Sequence, residues 1–457
     1  MRKVMYVRDP VLGSVRLSPI QEDLLKTVEV QRLSFVHQLG TTFQCYPGAH
    51  GMRLSHALGV SHLAGRIARH VLGEGGCEDP DEGSGMVRML EAAGMLHDIG
   101  HTPWSHTLEP LYLELTGRDH MDLVSDLVTG RQTLGIRGCG RIPAILEDHG
   151  VDPEEVAALI CSRYGGKPFL QQMIFGEVDA DMLDYLQRDF HFTGVAFGHI
   201  EVDRLISTMV VHDDRLMFLS KGLDAVRDFL HARLQMYSSV YLHKKTRIVD
   251  QMLLRAARKS IVDLAEVSDF VRMTDDELLS FLCTRSSDDW VREMAWRVKY
   301  RQGLFSRVFR IDAATSTETE KGFLRSLADG GGDTAEIATA LERDIATEAG
   351  IDPRLVMVDL PLEAVKVSEE RFTRLDIRFL DKRGRVLGLE ELDPAFGSYL
   401  RRAVPNRSLL TISCAPEHRD MVRRACHSVF RKTATPLFDW DDDGEGASAL
   451  RPGPPRE

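Results

Sequence analysis

Apolar residues recur every three or four positions along most of the chain, which predicts a mainly helical protein. One helix, opening at Arg53, carries His56, Val60, Leu63, Ala64, Ile67 and Val71 on a single stripe. A second carries Met86, Val87, Met89, Leu90, Ala93 and Leu96, which places His97 and Asp98 on its last turn. Gly100 is positioned to end that helix as a left-handed cap, and Thr102 and Pro103 read as N-cap and first residue of a new short helix. Helical patterning also spans 19–39, 111–128, 142–160, 179–189 (capped by Asp179), Gly222 to about Val262, and the basic stretch 291–310. Thr274-Asp275-Asp276-Glu277 is a capping box ahead of Leu278, Leu279 and Leu282. Residues 73–85, rich in Gly, Asp, Glu and Ser, read as a surface loop.

Strand patterning is sparser. Val4–Val7, an Asp9-Pro10 turn and Val15–Leu17 predict an N-terminal hairpin; Ile206–Val211 and Leu216–Leu219, joined by His212–Arg215, predict another. Gly330-Gly331-Gly332 is the best linker candidate. Beyond it come a helix over 334–349, strands near 355–360, 375–380, 385–389 and 408–413, and a helix over 417–430. The expected organisation is a helical core with its hairpin over 1–265, a helical extension over 266–330, a C-terminal α+β module over 331–435, and a disordered acidic tail over 436–457.

Composition narrows the function classes. A chain of 457 residues with 43% hydrophobic and 28% charged residues has ample core for two or three domains. The start Met1-Arg2-Lys3-Val4 lacks the apolar run of a signal peptide, and no stretch reaches membrane-spanning length. Seven scattered cysteines without a CxxC pair argue against a disulfide framework or zinc knuckle. A cytoplasmic enzyme is expected. The net charge of −12 argues against a nucleic-acid-coating protein.

The chemistry concentrates in His97-Asp98-Ile99-Gly100-His101-Thr102-Pro103-Trp104-Ser105-His106, three imidazoles and a carboxylate around a helix break. Imidazole and carboxylate suit a divalent cation, and further histidines beside such an ion suit proton transfer. A single His-Asp pair would mean little, and one histidine on an apolar face is usually a core residue bonded to a carbonyl. Here several converge on one chemistry. A mononuclear site needs about four protein ligands; His97 and Asp98 supply two, and the candidates for the others are His56 and Asp181. Asp181, Tyr185 and Asp189 share one helix face at i, i+4, i+8. Glu109, three residues after His106, can orient that imidazole.

Arg53-Leu54-Ser55-His56-Ala57-Leu58-Gly59, the 97–106 run and Asp179-Ala180-Asp181-Met182-Leu183-Asp184-Tyr185 together resemble the HD-domain phosphohydrolases. The likeness is closest to the SAM-and-HD-domain deoxynucleoside triphosphate triphosphohydrolases and their bacterial relatives without a SAM domain. It extends to Arg8-Asp9-Pro10, Gln31-Arg32-Leu33, Gln38-Leu39-Gly40, Tyr46–Ala49, Arg188-Asp189 and Tyr241–Lys244, covering about residues 1–290. The resemblance implies His56, His97, Asp98 and Asp181 as metal ligands, with His101, His106, Glu109 and His120 on the phosphate side. It implies Arg53, Tyr185 and Arg233 on the triphosphate, Gln38, Leu39 and Asp189 on the sugar, and Tyr241 against the base. The implied reaction uses Fe, Mn or Zn to activate water against the α-phosphorus, with Mg²⁺ carried in on the phosphates. It releases deoxynucleoside and inorganic triphosphate from dNTPs, dGTP among them, in a dimeric or tetrameric enzyme.

Some positions depart from the family pattern. The lysine usual beside the metal aspartate is Met182, the glutamate usual after His120 is Met121, and the Asp and Arg that read an activating guanine nucleotide are Lys26 and Ser34. The competing readings are an HD phosphohydrolase for a monophosphate, alarmone or cyclic dinucleotide, a non-catalytic nucleotide sensor, and a single-stranded nucleic-acid binder using Arg292–Arg310. Gln38, Leu39 and Asp189 favour a dNTP; Met182 favours another nucleotide; His101, His106 and Glu109 argue against a mere sensor.

Overall fold

The computed structural model describes residues 4–73, 80–196, 200–261, 264, 267–312, 334–360, 375–403 and 408–433. It is mainly helical with small sheets, as the patterning requires. Residues 1–306 with 361–408 form one compact unit, and 307–360 with 409–457 a second.

The first unit opens with the expected hairpin, β1 (Tyr6–Asp9) antiparallel to β2 (Gly13–Arg16). Ser18 starts α1 (Pro19–Leu25) through a capping box with Gln21, so two otherwise free N–H groups are bonded locally. The helical pattern to Leu39 is interrupted. α2 covers Val28–Arg32, and the chain then leaves the helix so that the Arg53 N–H donates to the Val36 carbonyl (3.0 Å) and the Gln38 N–H to the Gly51 carbonyl (2.8 Å).

At the centre, α3 (Arg53–Val71) packs on α4 (Pro80–Leu96). The α3 stripe predicted from the sequence is buried, His56 included. Two glycines set the closeness of this core: a Cβ on Gly59 would lie 1.8 Å from Asp184 Oδ1, and one on Gly94 2.7 Å from the Ser61 Cα. α4 begins at Pro80, inside the expected loop, because Met86, Met89 and Leu90 anchor its inner face. It ends at Leu96, with the His97 N–H still donating to the Ala93 carbonyl (3.0 Å).

Gly100 is not a left-handed cap. Its φ is not positive, and its smallness serves a close approach, since a Cβ there would lie 2.4 Å from the His120 carbonyl oxygen. The positive φ values fall instead on Trp104 (61°) and Ser105 (53°). Thr102 and Pro103 therefore open a turn, and only a single 3-10 turn, Ser105–Thr107, follows.

Glycines also divide two helices expected to be continuous. α5 (Glu109–Thr116) and α6 (His120–Thr129) part at Gly117 (φ 68°); α7 (Ile142–Asp148) and α8 (Pro153–Ile160) part at Gly150 (φ 68°), ahead of Pro153. After α9 (Pro168–Ile174), Asp179 caps α10 (Ala180–Thr193) by accepting the Met182 N–H at 2.7 Å, as expected. Leu205 and Ile206 lie on the buried face of α11 (Val202–Thr208), so strand β3 (Met209–His212), paired with β4 (Arg215–Leu219), starts later than the pattern suggested. The long helix read to Val262 is broken by a π turn at Tyr237–Tyr241 into α12 (Leu223–Met236) and α13 (Lys244–Ser260). α14 (Val267–Arg272), α15 (Asp275–Thr284) and α16 (Asp289–Tyr300) follow, with the Thr274 capping box in place. The basic stretch is helical only to Tyr300 and re-forms as a strand, Ser306–Asp312.

Strands Arg378–Leu380 and Val386–Gly388, grouped with the C-terminal module from sequence, belong to the first unit. Arg378–Leu380 runs parallel to β4 with Phe379 opposite Phe218, which buries both rings. In the second unit, Ser306–Asp312, Ser408–Cys414 and Val356–Asp359 form a sheet in that order, with Val358 opposite Ile412. Helices Thr334–Ala349 and Arg419–Thr433 contribute Leu341, Ile345, Val422 and Phe430 to its core. The Gly330–Gly332 linker and the acidic tail lie outside the described residues. No described helix is long and apolar enough to cross a membrane.

Candidate metal centre

α3, the end of α4 and the start of α10 bring the predicted ligands together. His56 Nε2, His97 Nε2 and an Asp181 carboxylate oxygen all lie within 4.8 Å of one another. His56 Nε2 is 3.0 Å from Asp181 Oδ1 and 3.3 Å from His97 Nε2. Asp98 borders the group, its Oδ2 3.8 Å from His56 Nε2 and its Oδ1 3.3 Å from His97 Nε2. Both imidazoles are engaged at the other nitrogen. His56 Nδ1 donates to Asp184 Oδ2 (2.8 Å) and His97 Nδ1 to the Gly94 carbonyl (2.9 Å), which turns each Nε2 lone pair toward the centre.

Electrostatics favour a cation here. Burial alone would lower the basicity of His56, but Asp181 and Asp184 outweigh it and push its pKa up to about 10. Burial would raise the Asp98 carboxyl, yet Arg53, His97 and His101 hold it well below the usual carboxylate range. Two imidazole nitrogens and two carboxylates, with His56, His97 and Asp98 buried and Asp181 partly exposed, fit a divalent transition metal.

A second group adjoins it. His101 Nε2 is 3.3 Å from Asp98 Oδ1, and its ring stacks on His120 with centroids 4.1 Å apart. Glu109 bridges the other two histidines, accepting from His106 Nδ1 at 2.8 Å and pairing with His120 Nδ1. The predicted His106–Glu109 contact therefore exists, although His106 sits on a 3-10 turn and its side chain is 66% exposed. Buried His101 Nδ1 has no partner among the described residues.

The residues read as substrate contacts occupy varied settings. Arg53 donates from Nη1 to Asp98 Oδ2 (2.6 Å) and from Nε to Ser105 Oγ (2.6 Å), leaving buried Nη2 without a partner among the described residues. Arg233 is buried beside Tyr185, Tyr237, Asp179 and Glu177. The Tyr241 hydroxyl donates to Asp189 Oδ2 (2.7 Å), and the Tyr241 ring meets Tyr185 edge-on at 6.2 Å. Burial raises the Asp189 carboxyl to about 7. Gln38 and Leu39 lie on the loop clamped to the start of α3, where Gln38 Oε1 has no partner among the described residues.

Behind His56 lies a support that the sequence alone does not mark as part of the site. Asp184 accepts two bonds from Arg188, at 2.8 Å each, and Arg188 Nη1 reaches Asp9 Oδ2 at 2.9 Å, all three residues buried. The signal was an Asp-x-x-x-Arg pair at i, i+4, which on a sequence alone looks like any surface ion pair.

Comparison with known proteins gives this geometry its context. The HD domain profile matches residues 53–188, and the HD associated region matches 200–436. The chain is 32% identical over 292 residues to the uncharacterized protein MJ1154 of Methanocaldococcus jannaschii, covering 63% of this chain and 56% of that protein. It is 27% identical over 282 residues to the deoxynucleoside triphosphate triphosphohydrolase SAMHD1 of Homo sapiens, covering 56% of this chain and 44% of that one. It thus spans about half the length of such relatives. A phosphohydrolase (BT4208) from Bacteroides thetaiotaomicron shares the fold at a TM-score of 0.67 and 23% identity, over 91% of this chain and 99% of that one. With the 53–188 segment holding the clustered His and Asp residues and the associated region following it, the chain belongs to the HD-domain phosphohydrolase family, in the branch that carries the HD associated region.

Proposed function

We propose that this protein hydrolyses deoxynucleoside triphosphates to a deoxynucleoside and inorganic triphosphate, at one divalent cation held by His56, His97, Asp98 and Asp181. The observation that carries the reading is the convergence of these four side chains directly beside the His101, His106, His120 and Glu109 group. Similarity to human SAMHD1, a deoxynucleoside triphosphate triphosphohydrolase by name, supports it. Fe²⁺, Mn²⁺ or Zn²⁺ suits the donor set and, when bound, would supply Lewis acidity toward water and the α-phosphoryl oxygens. Mg²⁺ would accompany the substrate phosphates.

The chain's own side chains supply the rest. Attack of water on the α-phosphorus breaks its bond to the sugar 5′-oxygen, and that oxygen needs a proton as it leaves. His106, held at Nδ1 by Glu109 and open to substrate, is placed to give one from Nε2. His101 and His120, stacked beside it, face the phosphate side. Arg53 offers the spare Nη2 donor, and buried Arg233 with Tyr185 holds the phosphate chain. Asp189, steadied by the Tyr241 hydroxyl, accepts the 3′-hydroxyl, while Gln38 and Leu39 crowd a ribose 2′-hydroxyl. Tyr241 borders the base, and a homo-oligomer is the expected assembly.

One observation favours a different nucleotide at the same centre. Met182, half-buried next to Asp181, removes a cation from the phosphate side, which suits a substrate with fewer phosphates. A dNTP and rNTP panel with Mn²⁺ or Fe²⁺, the released phosphate species separated by chromatography, decides between the two. Triphosphate from at least one dNTP supports the first reading; orthophosphate or pyrophosphate alone supports the second.

A further inference from the structure

We propose that Arg32 and Asp275 are positioning residues that hold the 101–105 loop in its active conformation, so that α14 and α15, outside the HD segment, complete the site. The inference rests on reading the centre as a phosphohydrolase site.

The loop needs holding. Trp104 and Ser105 are non-glycine residues at φ 61° and 53°, a conformation that persists only where the surroundings enforce it. Asp275, 1% exposed at the first turn of α15, supplies much of that enforcement. Its Oδ1 accepts the Trp104 backbone N–H (2.6 Å), and its carbonyl accepts the Trp104 indole N–H (3.2 Å). Its Oδ2 accepts the His37 backbone N–H (2.8 Å) and lies 2.7 Å from His37 Nδ1. The His37 carbonyl in turn accepts the Ser105 hydroxyl (2.7 Å), and Ser105 Oγ accepts from Arg53 Nε (2.6 Å). Arg53 Nη1 then reaches Asp98 (2.6 Å). A continuous chain of bonds therefore runs from α15 to a carboxylate of the metal centre.

Arg32 works from the other side. Only 4% exposed, it donates Nη1 to the His101 carbonyl (2.8 Å) and Nη2 to the Val271 (2.8 Å) and Met273 (2.6 Å) carbonyls, with Nε on the Arg272 carbonyl (3.2 Å). One guanidinium thus closes the C-terminal end of α14 and ties it to the backbone of His101. A planar fork with several donors is required; a single ammonium cannot span four carbonyls. Neither side chain bonds to a side-chain atom of the four proposed ligands, so both act through the backbone and through Arg53.

The test uses the full chain carrying 5-fluorotryptophan, whose four tryptophans give four ¹⁹F lines. The Trp104 line is assigned from Trp104→Phe. Asp275→Asn keeps the size of the side chain but turns an amide nitrogen toward the His37 donors, and Arg32→Lys keeps the charge. Exposed Asp276→Asn serves as control and leaves line and rate unchanged. We expect both variants to move the Trp104 line and to lose about ten- to a hundredfold in kcat with KM and bound metal nearly unchanged. An unmoved Trp104 line, or a shifted line with wild-type kcat, overturns the proposal. Loss of metal in step with a fall in Tm also overturns it, because the role would then be general stability. Should the enzyme prove to use a substrate other than a dNTP, the Trp104 line still moves, so the two readings fail separately.

Discussion

At the scale of single residues, the chemistry depends on which atom of each side chain is left free. His56 and His97 present Nε2 to the centre because Asp184 and the Gly94 carbonyl occupy Nδ1. Asp184→Asn should therefore weaken metal affinity about 10- to 100-fold, while Asp98→Ala abolishes activity. Calorimetric titration with Mn²⁺ checks the first, and unchanged affinity would contradict the Asp184 role. Asp189 gives a pH signature. Its carboxyl rises from the ordinary 3.8 to about 7 in the folded chain. Below about pH 4 its stabilisation is complete, since both states are protonated. Between there and about pH 7 the unfolded chain releases the proton first, so stability falls by at most roughly 1.4 kcal/mol per pH unit and then levels off. Denaturant melts across that range should show a shallower decline in Asp189→Asn; equal slopes would refute the assignment.

At the scale of elements, close approach and capping decide which substitutions matter. Gly59→Ala pushes a methyl group onto Asp184 and Arg188, where α3 meets α10, and should cost about 1–3 kcal/mol as well as metal affinity. Thr274→Ala removes one cap bond of α15 and should cost about 1 kcal/mol, read as a lower Tm with the metal retained. Such features differ in how far the sequence discloses them. The α3 stripe, the Asp179 and Thr274 caps and the crowding of His97, Asp98, His101 and His106 depend on neighbours within a turn or two, and all were legible. Gly100 was legible as important but not for the right reason, because its constraint comes from α6 passing over it. The break at Tyr237–Tyr241 has no proline or glycine to announce it. Asp275 looked like an ordinary first-turn acid, since nothing local reveals that it accepts the backbone of a loop 171 positions away.

At the scale of the whole molecule, the HD segment supplies the clustered His56, His97, Asp98 and Asp181, and the associated region adds Arg233, Tyr241 and the helices behind the 101–105 loop. The proposed sugar discrimination would draw on both. rNTPs should be poor substrates, and Leu39→Ala should raise kcat/KM for an rNTP relative to its dNTP; equal turnover of both sugars by the wild type would refute the sugar assignment. The proposed reaction is defined by which bond breaks. Hydrolysis of a dNTP in H₂¹⁸O with Mn²⁺, followed by mass spectrometry of the products, reports that directly. Attack of water at the α-phosphorus predicts inorganic triphosphate carrying one ¹⁸O and an unlabelled deoxynucleoside. Label in orthophosphate or pyrophosphate, with a deoxynucleoside mono- or diphosphate left behind, would contradict it.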